Sequence, residues 1–212
     1  MKKILVLALA ALFAALATAP AGVLNKDEPG EVEVSGYYLF PGDGDFDTFK
    51  AGAGVQAVYR EWFRFPWGVG INAGWGYYNV DSGTTSYKYE ALGRFKGECN
   101  VVPIGASLYF NVIDWDNWNL LLGTGMQFLI VDSGMSAWNS VENKRQDIDV
   151  GNALMWNIEA EYEYMLSEQM YILGGLGYQV DLVRADTDYD GGDLRDTSFR
   201  GLFLRLGLKF LF

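Results

Sequence analysis

Histidine is absent from all 212 residues, cysteine occurs once and proline five times. Without an imidazole, the Ser–His and Cys–His arrangements that activate a hydroxyl or thiol are closed to this chain. Its lone cysteine, Cys99, forms no internal disulfide and reads as a small side chain in a strand or loop. Past residue 17 no apolar run approaches the roughly 18 residues that mark a membrane-spanning helix. Cations are scarce as well: setting Lys2 and Lys3 aside, 14 of the 16 basic residues stand against 27 acidic ones, a net charge near −13. Phosphate backbones require the opposite sign, which excludes nucleic acid as a partner.

Lys2 and Lys3, the apolar run Ile4 to Ala17 and the small residues Ala17-Thr18-Ala19 form the pattern of a secretory leader. The expected cut follows residue 19, with a cut after Ala21 as the alternative. The run is too short to be a spanning anchor, and no cysteine stands at the new terminus to carry a lipid. Residues 20–212 are then one domain of ordinary size.

That domain is written in period 2. In "NIEAEYEYM", residues 157–165, Glu159, Glu161 and Glu163 alternate with Ile158, Ala160, Tyr162 and Tyr164, so an extended backbone places carboxylates on one face and apolar groups on the other. Seven further segments alternate in the same way: 31–40, 49–60, 69–80, 100–112, 118–130, 170–181 and 199–212. The connections alternate too. Those at 61–68, 113–117 and 165–169 are short, and those at 81–99, 131–150 and 182–198 are long and polar. Short turns on one side and long loops on the other mark a membrane barrel, and a soluble sandwich gives no reason for them.

Two features decide which face meets water. The polar faces are rich in glycine, as at Gly52, Gly54, Gly74, Gly76, Gly123, Gly125, Gly175 and Gly177, and an eight-stranded barrel has little interior room for anything larger. They also carry both signs of charge. The expected fold is therefore an all-β, eight-stranded antiparallel up-and-down transmembrane β-barrel with the apolar faces in lipid. Its lumen would hold an ion-pair network of Glu33, Arg60, Glu159, Glu161, Glu163, Arg205 and Lys209. Glu33 would pair with Arg205 or Lys209, and Glu161 with Arg205 or Arg60, because unpaired charge in a dry interior is costly.

The last strand, "GLFLRLGLKFLF", ends on Phe212 with hydrophobic residues at alternating positions before it. Together with the leader and the eight segments it resembles the small outer-membrane barrels of the OmpA, OmpX and OmpW-like group. The resemblance implies residence in the outer membrane of a Gram-negative-type cell among lipid and lipopolysaccharide. It also implies a monomer, and recognition of Phe210 and Phe212 by the barrel assembly machinery. Similar-sized barrel enzymes, the lipid A deacylases, palmitoyltransferases and omptin-like proteases, use a histidine that this chain lacks, so no enzyme is expected. The role implied is structural or interactive, a packed anchor presenting outer loops; the alternative is a narrow pore or small hydrophobic-solute channel of OmpW-like type. A soluble lipocalin-like binder would need an apolar lumen, against the polar faces.

No cofactor and no metal centre is expected. The acidic turn "DGDFD", with Asp43, Asp45 and Asp47, reads as solvated, or in the alternative as a weak cation-binding loop, and the acidic stretch 186–196 is similar. The aromatic run "EWFRFPW" at residues 61–67 reads as interfacial anchoring of a turn.

Overall fold

The computed structural model describes residues 29–42, 49–81, 92–139, 142–189, 192–193 and 196–212. The leader and the acidic turn at Asp43, Asp45 and Asp47 lie outside the described residues. Eight strands form a closed antiparallel ring: β1 (Glu31–Pro41), β2 (Phe49–Arg64), β3 (Trp67–Asp81), β4 (Leu92–Trp115), β5 (Trp118–Asn139), β7 (Ala153–Ser167), β8 (Met170–Val183) and β11 (Gly201–Leu211). Each pairs with the next in chain order within that ring, β5 pairs with β7, and β1 closes on β11 from Glu31↔Leu211 to Pro41↔Gly201. All eight expected strands are present.

The segments 131–150 and 182–198 are not the polar loops their composition suggests. β4 and β5 run to 24 and 22 residues, about twice the 9–11 that cross a bilayer. Where β5 leaves β7, it takes up β6 (Lys144–Val150), which pairs with β9 (Thr187–Tyr189), which pairs with β10 (Gly192–Asp193). The fork is tied by Asn152, whose side-chain oxygen accepts the Val131 N–H at 3.1 Å. A short flange of β4, β5, β6, β9 and β10 therefore stands above one end of the barrel.

The outer wall is apolar. Val55, Ile71, Ile104, Leu108, Leu122, Met126, Phe128, Ile130, Ile158, Leu176, Leu204 and Leu206 are all exposed. An exposed apolar surface of this extent cannot face water in a stable monomer, and it is the band that a transmembrane barrel turns toward acyl chains. On β5 the band stops after Ile130, because the next outward positions are Asp132, Gly134 and Ser136.

The inner wall has two zones, a feature the alternation does not reveal. Toward the flange it is an apolar core that includes Leu39, Tyr78, Val101, Cys99, Leu129, Met135, Ile148, Met155, Phe199 and Phe203, with the Tyr78 and Phe199 rings edge-to-face at 5.4 Å. The expectation of a uniformly polar lumen is corrected here. Leu129 and Phe203 lie level with the top of the apolar band, and Met135 and Ile148 lie beyond it, where the wall faces water outside and the interior packs as in a soluble protein.

Glycine supplies the inner clearance. A Cβ on Gly54 would collide with the Trp75 carbonyl oxygen and lie 2.6 Å from the Tyr37 ring. Gly54→Val is expected to lower the unfolding free energy by about 1–3 kcal/mol, whereas Gly174→Ala, with nothing within 4 Å of its Cβ, should change it by less than about 0.5 kcal/mol. Urea titrations followed by tryptophan fluorescence in vesicles would separate the two.

Candidate functional site

At the other end of the lumen lies a buried charge cluster. β1 brings Glu31 and Glu33, β2 brings Arg60, β7 brings Glu159, Glu161 and Glu163, and β11 brings Arg205 and Lys209. Within each strand the members are two or four residues apart, so the pleat turns them all inward. Glu161 and Glu163 are completely buried, and Arg60 and Lys209 are 1% and 2% exposed.

Arg60 lies at the centre. Its guanidinium reaches Glu161 at 2.8 Å, Glu163 at 3.1 Å, Glu31 at 3.3 Å and Glu33 at 3.5 Å, and it sits 4.0 Å from the centroid of the Tyr109 ring. Arg205 pairs with Glu33 at 2.5 Å, with Glu159 at 3.0 Å and with Glu161. Lys209 reaches Glu163 at 2.5 Å and Glu31 at 3.2 Å. The structure thus brings all seven sequence-predicted residues into one contiguous group. Of the two partners considered for Glu33 it uses Arg205. Lys209 sits opposite Glu33 in register, but its amine is directed to Glu31 and Glu163.

Five carboxylates face three cations, and neutral donors meet much of the excess. Ser35 donates to Glu33 at 2.7 Å, the Trp62 indole to Glu31 at 2.9 Å, Asn119 to Glu163 at 3.2 Å, and Tyr109 to Glu159. Glu161 is held between the two guanidinium groups instead. Glu33 Oε2 and the Nε atoms of Arg60 and Arg205 have no hydrogen-bond partner, but every charged group of the cluster has at least one partner, as a buried ionic group requires.

Glu31, Ser35, Trp62, Tyr109 and Asn119 are additions to the expected set. Glu31 was detectable, being two residues before Glu33 on the same face. Trp62 corrects the reading of residues 61–67 as a purely interfacial run: it is buried beside Arg60, while Phe63, Phe65 and Trp67 are exposed.

No protein-family model matches the sequence, and none of the curated proteins does. Solved structures do match. The outer membrane protein OprG from Pseudomonas aeruginosa superposes with a TM-score of 0.68 over 87% of this chain and 96% of that one, at 14% identity. The Escherichia coli outer membrane protein W (TM-score 0.52, 11% identity, 87% of this chain and 98% of that one) and a major outer membrane protein from Thermus thermophilus (0.52, 16%, with the same two coverages) are also similar. This is the fold of the small outer-membrane barrels.

In an outer-membrane barrel the bore determines what can pass. Between the charge cluster and the apolar core a cavity of about 30 Å³ remains, with Gln56, Asn72, Ser107, Gln127, Asn157 and Gln179 among its lining residues. That is room for about two water molecules. At the charged end of the wall, Phe210 and Phe212 lie on the outer surface. The Phe212 backbone exchanges hydrogen bonds with Gly30 at 3.1 and 3.2 Å, and its ring stacks on Tyr59 with centroids 6.2 Å apart.

Proposed function

We propose that the protein is a monomeric outer-membrane anchor whose lumen is closed and whose flange is the interacting part. The observation that carries this is the pair of seals in series. A hydrogen-bonded ion cluster fills one end of the lumen, an apolar core fills the other, and a cavity of about 30 Å³ lies between them. Ions crossing the bore would have to break buried pairs and then enter an apolar core, each step costing several kcal/mol.

In this reading both termini are periplasmic, a leader ending at residue 19 is removed on export, and Phe210 and Phe212 are the contacts offered to the assembly machinery. Purified protein reconstituted in planar bilayers is expected to be electrically silent. Reproducible conductance steps would overturn the closed anchor in favour of a narrow pore. Membrane fractionation, with heat-modifiable migration on a gel, tests the location independently, and recovery from the soluble periplasm would end it.

A further inference from the structure

Between the charge cluster and the apolar core the inner wall is a belt of neutral polar groups. Gln56 of β2, Asn72 of β3, Ser107 of β4, Gln127 of β5, Asn157 of β7 and Gln179 of β8 line the cavity of about 30 Å³, so six strands each send in one amide or hydroxyl. The register groups them in two rows. Asn72 and Gln127 flank Gly105, and Ser107 and Asn157 flank Gly125, with Gln179 opposite Asn157. Glycine leaves the space between them: a Cβ on Gly105 would lie 2.9 Å from Asn72 Oδ1 and 2.8 Å from the Gln127 side chain.

Two deficits meet at this cavity. Asn72 is 6% exposed, yet neither its amide oxygen nor its amide nitrogen has a hydrogen-bond partner in the protein. Buried amides are rarely left in that state. The second deficit is charge. Glu159 lines the cavity and belongs to the adjoining cluster, where five carboxylates against three cations leave two negative charges over. Ser35, Trp62, Tyr109 and Asn119 donate hydrogen bonds there but neutralise no charge. Arg205 also lines the cavity, and its charge is already shared by Glu33, Glu159 and Glu161.

Two waters would partner Asn72 but leave the charge uncompensated in a dry interior. Protonating two carboxylates would cancel the charge but leave Asn72 unpartnered. One cation with one water answers both deficits, and the space holds about two such occupants. Hard cations take oxygen ligands, which each amide and hydroxyl of the belt supplies, but calcium favours several carboxylates and magnesium sheds its water reluctantly. Glu159 is the single carboxylate of this wall. We propose that the cavity binds one alkali-metal cation, with a water beside it. Asn72 Oδ1 and Glu159 face the ion, and the Asn72 amide N–H donates to the water.

The test is crystallography of the barrel refolded in rubidium chloride, beside a preparation refolded in choline chloride at the same ionic strength. Rubidium is expected to give an anomalous difference peak inside the cavity, within ligand distance of Asn72 and Glu159. In zwitterionic vesicles, raising rubidium from about 1 to about 100 mM at constant ionic strength is expected to raise the folding equilibrium constant at least about tenfold, because the ion binds the folded state alone. Asn72→Leu and Glu159→Gln are each expected to remove most of that dependence. No peak in the cavity, or the same equilibrium constant in rubidium and in choline, would leave the space to water and overturn the site. A dependence that persists undiminished in either variant would overturn it as well. Should Asn72→Leu not fold, Glu159→Gln and the crystals of the unaltered protein decide.

Discussion

Arg205→Leu is expected to destabilise the barrel by about 3–5 kcal/mol, the cost of stranding a buried partner. Its guanidinium spans Glu33, Glu159 and Glu161, and an isobutyl group would leave Glu159 without a cation and Glu33 and Glu161 with Arg60 alone. Arg205→Lys keeps the charge but replaces a planar fork by a point donor that cannot bridge three carboxylates, so an intermediate loss is expected. Urea titration of the variants in lipid vesicles measures both. A loss below about 1 kcal/mol for the leucine variant would show that the ion pairs contribute little, as solvated pairs do.

One residue later the requirement inverts. Leu206 is 66% exposed midway along β11, and Leu206→Arg is expected to cost about 2–4 kcal/mol, the range for a cation placed on the lipid face near the bilayer centre. Leu206→Phe should be close to neutral. The same vesicle titration applies, and the decisive comparison is with detergent micelles, where a cation has more access to water and the penalty should shrink. Full tolerance of arginine in vesicles would mean that this face does not meet acyl chains. Adjacent positions with opposite charge requirements are a sharp test of wall polarity, because a soluble barrel would reverse both results.

Much of this architecture is readable from residues alone, because period 2 is a strong signal when a strand has one face in lipid and one in a crowded bore. Glu159, Glu161 and Glu163 opposite Ile158, Ala160 and Tyr162 define both faces of β7 without any structure. Which inward side chains meet across the bore is a different matter. That depends on the stagger of the closed ring, so Lys209 lies opposite Glu33 yet reaches Glu31 and Glu163, and Tyr109 and Asn119 join the cluster from strands that carry none of its charges. The flange escapes the sequence for a related reason. Above the lipid the outward positions Asp132, Gly134 and Ser136 are polar, so the segment resembles a loop, although Met135, Ala137, Ile148 and Val150 are buried beneath it. In β6, "KRQDIDV" keeps the alternation, but over only 7 residues, too short to stand out beside the transmembrane strands.

The distribution of the cluster along the chain bears on how the molecule can be made. Its carboxylates sit on β1 and β7, but two of its three cations sit on β11, whose 11 residues are the last strand. A polypeptide synthesised only as far as Val183 holds Glu31, Glu33, Glu159, Glu161 and Glu163 against Arg60 alone. Docking of the carboxyl-terminal strand therefore seals the ring and delivers most of the countercharge in the same event. Until β11 docks, burying those glutamates together would be costly, so they are expected to stay apart or wet.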